Sequence, residues 1–126
     1  MKKVIATENA PAAIGTYSQG IIHGLTLYVS GQIPLLPQSM ELVGESIDEQ
    51  INQVFSNLEA IIEAAGARLD DTVKFTVYLT DLAHFPRVNE AMTARLSEPY
   101  PARVAVEVSG LPRGALVEID AIVALS

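Results

Sequence analysis

SIDEQINQVFSNLEAIIEAAGARLDDTVKFTVYLT, residues 46–80, contains both of the periods on which the fold turns. Ile47, Ile51, Val54, Phe55, Leu58, Ile61, Ile62 and Ala65 return at steps of three and four, which gives a helix over about Ser46 to Ala65 one apolar face. Ser46 followed by Glu49 has the pattern of a capping box, in which the two side chains satisfy amide groups that the first turn leaves free. Gly66 can take the left-handed backbone that ends a helix. From Val73 the period drops to two: Val73, Phe75, Val77 and Leu79 alternate with Lys74, Thr76, Tyr78 and Thr80, as in a strand with one buried face.

Outward from this helix–strand pair, a second helix is expected over about His84 to Leu96. Pro86 is tolerated in its first turn, and Phe85, Val88, Met92 and Leu96 form its apolar stripe. Pro99 and Pro101 prevent its extension. Two strands follow, about Arg103 to Val108 and Ala115 to Leu125, joined by a turn with Gly110, Pro112 and Gly114, and they read as an antiparallel hairpin. On the other side, Leu25, Leu27 and Val29 alternate with Thr26, Tyr28 and Ser30, and Ser18 to Ile22 can pair with them across His23 and Gly24. The order is strands, helix, strand, helix, strands, with both helices on one face of the sheet. Tyr78, Ala105, Leu116 and Ile122 are expected on the uncovered face, where an oligomer would bury them.

The chain has 126 residues, enough for one domain over 1–126 and too few for two. Its 49% apolar and 18% charged residues suit a compact chain, and its net charge of −7, with scattered Lys and Arg, disfavours nucleic acid as a ligand. There is no cysteine, which excludes disulfides and thiolate chemistry and fits a cytoplasmic location. No signal-peptide run follows Lys2 and Lys3, and no apolar run reaches membrane-spanning length. No phosphate-binding glycine pattern appears, and His23 and His84 have no companion at metal-ligand spacing, so neither a nucleotide cofactor nor a metal is expected.

In the last strand Val117, Ile119, Ala121, Val123 and Leu125 form an apolar row, which turns Glu118 and Asp120 the other way. Hairpin pairing would set Ala105 opposite Glu118 and Arg103 opposite Asp120, so that one Arg and two carboxylates share a face. Alternation alone favours a cross-strand ion pair there. The chemistry also allows a substrate site, since a guanidinium matches a carboxylate and Glu118 could accept a proton from water. Ser30 and Gly31 end a strand, where a glycine lets a small molecule approach the backbone. Tyr17 can donate a hydrogen bond, although a Tyr in that setting is more often a packing residue.

Thr7 to Gly15 (TENAPAAIG), Tyr17 to Gln19 (YSQ), Ser30 to Pro34 (SGQIP), Asn57 to Gly66 and, above all, PARVAVEVSGLPRGALVEIDAIV from Pro101 to Val123 resemble the RidA family, also called YjgF/YER057c/UK114. The resemblance runs from about Ile5 to the C-terminus. It implies a chorismate-mutase-like fold, α/β in the sense of α+β, with one mixed six-stranded sheet, two helices on one face, and a homotrimer with pockets between subunits. It also implies cofactor-free hydrolysis of 2-imino and enamino acids, such as 2-iminopropanoate and 2-iminobutanoate, to 2-keto acids and ammonia. By the same resemblance Arg103 binds the carboxylate, Glu118 positions or activates the water, and Tyr17, Ser30, Gly31, Asn89 and the backbone at Ala105 line the pocket. The chain differs from the family pattern at Ala105, where many members have Cys, at Thr16 before the Tyr, where Pro is frequent, and in a short stretch over Ser97 to Tyr100 that borders the pocket. A module that senses keto or imino acids is the alternative function, and RNA cleavage is a third that the acidic balance opposes.

Overall fold

The computed structural model describes residues 1–126. Strands β1 (Lys3–Ile5), β2 (Gly20–His23) and β3 (Thr26–Gln32) precede helix α1 (Ile47–Ala64), strand β4 (Thr72–Leu79), helix α2 (Phe85–Arg95) and strands β5 (Ala102–Glu107) and β6 (Val117–Ala124). They form one mixed six-stranded sheet in the order β1-β2-β3-β6-β4-β5, with both helices on one face, as expected.

The ends of α1 are built from local chemistry. Ser46 Oγ accepts from the Glu49 amide at 3.1 Å, while the Glu49 carboxylate lies against Gly44. At the other end Gly66, at φ 83°, sends its amide to Glu63 and the next amide goes to Ile62, which satisfies the last free carbonyls. Ile51, Val54, Phe55, Leu58, Ile61 and Ile62 are buried against Phe75, Val77, Leu79, Val117, Ile119 and Val123. Phe55 and Phe75 meet edge to face with ring centres 5.7 Å apart. Thr72 rather than Val73 is buried, because the pairing of β4 with β6 shifts between Thr72 and Lys74.

The expected hairpin of the last two strands does not form. β5 pairs in parallel with β4, and β6 lies between β3 and β4, antiparallel to both. The composition of each strand explains the choice. Every inward residue of β6 is apolar and buried, so it suits the middle of the sheet, whereas β5 turns Arg103 and Glu107 toward the helix side and suits an edge. Residue rows then run Arg103, Phe75, Ala121 and Ala105, Val77, Ile119. Ala105 therefore packs against the core on the helix side, not on the open face. The open face carries Tyr28, Tyr78, Val104, Val106 and Ile122, of which Tyr28 is 49% exposed and Val104 42%. No helix is long and apolar enough to cross a membrane.

Candidate functional site

The register separates the residues expected to act together. Arg103 and Ala105 lie on the helix face, and Glu118 and Asp120 lie on the open face beside Tyr78 and Thr76. The expectation that one Arg and two carboxylates share a face is corrected on this point: it required β5 to pair with β6, and insertion of β4 between them reverses the side of Arg103.

On the helix side, α2 meets the edge strand. Arg103 Nη1 donates to Asn89 Oδ1 at 3.0 Å and lies 3.5 Å from Met92 Sδ, and its guanidinium stacks 4.6 Å from the centre of the Phe85 ring. None of the chain's ion pairs involves it. A cavity of about 240 Å³ opens there, lined by Asn89, Met92, Thr93, Tyr100, Pro101 and Arg103. Asn89 and Phe85 fix the plane of the guanidinium, and its remaining N–H groups can take an anion in a paired, two-point contact. Asn89 and Arg103 are thus one group, and Ala105 follows Arg103 on the same face of β5.

Tyr17, Ser30, Gly31 and Glu118 form the other. The Glu118 side chain crosses Gly31 so closely that a β-carbon at residue 31 would overlap its carboxylate. Burial, and then the charge of Asp120, raise the Glu118 pKa above the usual carboxylate value. The Tyr78 hydroxyl donates to Asp120 Oδ2 at 3.2 Å, and burial followed by the Asp120 carboxylate hold its pKa above the ordinary tyrosine value. Ser30 Oγ donates to the Ser18 carbonyl at 2.5 Å, and the Ser30 amide donates to the Gln19 carbonyl at 2.9 Å. The buried Gln19 amide in turn donates to the carbonyls of Thr7, Ala10 and Pro11. These bonds hold the segment that presents Tyr17, which lines a second cavity with Gly31.

The two groups lie on opposite faces of the sheet: the first has the Arg103 cation but no base, and the second has the half-buried Glu118 acid but not Arg103. No three His, Asp or Glu side chains come together to hold a metal ion. Sequence reasoning placed the stretch Ser97 to Tyr100 at the pocket border without singling out Tyr100, and it missed the stacking role of Phe85. Tyr100 stands between Pro99 and Pro101, three residues before Arg103, a signal that could have marked it as a pocket wall.

The sequence pattern described as endoribonuclease L-PSP matches residues 7–125. A RutC family protein of Pyrococcus horikoshii is 52% identical over 97% of both chains. A protein of Rattus norvegicus named 2-iminobutanoate/2-iminopropanoate deaminase is 44% identical over 97% of this chain and 89% of that one. The crystal structure of RidA from an Antarctic Psychrobacter superimposes with a TM-score of 0.94 at 53% identity, covering 98% of this chain and 99% of that one. With the pattern matched over nearly its whole length and the same fold in a close relative, the chain belongs to the RidA (YjgF/YER057c/UK114) family, the family described as endoribonuclease L-PSP.

Proposed function

We propose that this protein is an enzyme that hydrolyses small 2-imino acids, such as 2-iminopropanoate and 2-iminobutanoate, to 2-keto acids and ammonia, in pockets shared between the copies of a homotrimer. The observation that carries this reading is the unpaired Arg103 guanidinium, held by Asn89 and Phe85 at the mouth of a cavity. It suits a carboxylate on a small molecule. Sharing the pocket explains the division described above: Arg103, Asn89 and Ala105 of one copy face Tyr17, Ser30, Gly31 and Glu118 of the next. The rat relative bears the name of this activity at 44% identity.

In the reaction, Arg103 anchors the carboxylate and so fixes the imine carbon. Glu118, with its pKa raised above the usual carboxylate value by burial and by Asp120, accepts a proton from water as the oxygen bonds to that carbon. Glu118 returns that proton to the nitrogen to give the tetrahedral amino alcohol, and transfer of the hydroxyl proton to the nitrogen then breaks the C–N bond, so that ammonia leaves and the carbonyl remains. An imine carbon is already electrophilic, so a positioned base contributing roughly 10²- to 10⁴-fold supplies much of what is needed. The net charge of −7 and the absence of a basic patch oppose the RNA cleavage that the family's description names.

The test is ammonia release from imines generated in situ by an amino-acid oxidase. Arg103→Ala is expected to lower kcat/KM by roughly 100-fold or more, the loss of a charged hydrogen-bond pair, without lowering the melting temperature of this exposed site. Full activity in that variant overturns the mechanism. Tight keto-acid binding without any turnover in the wild type would support the sensing module instead.

A further inference from the structure

Arg113 occupies a turn that its residue type does not favour. The Ala115 amide donates to the Pro112 carbonyl at 3.1 Å, and the two residues between them, Arg113 at φ 61° and Gly114 at φ 71°, both have left-handed backbone. Such a turn favours Asn or Gly at its first central position, because a left-handed backbone crowds a β-carbon. The turn does not explain the arginine. Its side chain, however, lines the same cavity of about 240 Å³ as Tyr17 and Gly31. The rest of that cavity is mainly apolar, with Ile14, Ile33 and Met40 among its walls, and none of its lining residues is acidic. No ion pair and no side-chain hydrogen bond in the chain uses the Arg113 guanidinium. A free cation in an apolar recess fits an anion joined to a short hydrocarbon.

We propose that Arg113 is a specificity-determining residue that binds the distal carboxylate of dicarboxylic 2-imino acids. This rests on the functional reading above, in which Arg103 of the neighbouring copy holds the carboxylate next to the imine. The two arginines then grip the two ends of one substrate, and Glu118 serves the carbon between them. Imines of this class come from oxidation of acidic amino acids at the amine, so a reaction of that kind must supply them.

The decisive variant is Arg113→Asn, which suits the left-handed turn and removes the cation. Imines of glutamate and of 2-aminobutanoate, each formed in situ by an amino-acid oxidase that accepts the parent amino acid, are compared as substrates. The variant is expected to lose about tenfold or more in kcat/KM on the glutamate-derived imine, mainly through KM, and to change less than about twofold on 2-iminobutanoate. Its melting temperature should be equal to or above that of the wild type, which separates the effect from misfolding. Equal losses on both substrates, or none on either, overturn the proposal. If the wild type turns over neither imine, the functional reading fails and the role of Arg113 is still decided by NMR titration. A preference for 2-oxoglutarate over 2-oxobutanoate that vanishes in Arg113→Asn supports it, and equal affinities in the wild type overturn it.

Discussion

Strand β3 is cut back to glycine at residue 31 where the Glu118 side chain crosses it, and this lets an acid sit half-buried beside Asp120. Both burial and the second carboxylate oppose its charge, so the folded state favours protonated Glu118 and its pKa rises above the unfolded value. The stability this group contributes is therefore complete below the ordinary carboxylate range and is lost as pH rises through the raised pKa. Glu118→Gln is expected to melt at a higher temperature than the wild type at pH 7, with the difference shrinking toward pH 4, and to lose imine hydrolysis. Thermal scans across that range check the sign, and a gap that does not change with pH would show that ionised Glu118 costs the fold nothing. At this scale the sequence singled out Arg103 and Glu118 in the segment Pro101 to Val123 and Gly31 in Ser30 to Pro34, and the contact between Gly31 and Glu118 joins two of them. What alternation could not give was the face on which Arg103 lies, because parity is defined only relative to the strand that pairs.

Helix α1 interrupts its apolar face twice, with Gln50 2% exposed and Asn57 fully buried, and both reach out to loops. Gln50 Nε2 donates to the Gly44 carbonyl at 2.9 Å while its Oε1 accepts from the Leu116 amide at 2.8 Å. Asn57 Nδ2 donates to the Leu35 carbonyl at 3.0 Å. The helix thereby fastens the residue just before β6, which carries Glu118, and the loop from Leu35 to Gly44, part of which walls the Tyr17 cavity. Gln50→Leu keeps the size but strands a buried amide and a carbonyl, at a cost of about 1–3 kcal/mol, to be read from urea unfolding. No measurable change would mean that water replaces both partners. The helix and its ends were readable because capping and period are local. The order of β5 and β6 was not, because it depends on competition for the centre of the sheet. The inward Arg103 and Glu107 of β5 were the available clue, since charges on that side belong at an edge.

For the whole molecule, an uncovered sheet face carrying Tyr78 and Ile122 was foreseeable from period and from the count of two helices, although Val104 and Val106 stand on it where Ala105 was expected, and an assembly is the expected answer to it. Which copy completes which pocket was not, since alternation within one chain says nothing about symmetry between chains. If the pocket is shared, Arg103→Ala and Glu118→Gln, each inactive alone, should recover activity when unfolded together and refolded at equal amounts. Random assembly puts an intact Arg103 opposite an intact Glu118 in about one pocket in four, so roughly a quarter of wild-type activity is expected. Recovery near zero would place both residues in a pocket of a single chain.

In a shared pocket, the separation of Arg103 and Glu118 by the thickness of a sheet would also tie chemistry to mass action. If the pocket is shared as proposed, a dissociated copy has no complete reaction centre, and activity per molecule follows the association equilibrium. The protein would then be silent when scarce and switch on as it accumulates, with its own abundance as the effector.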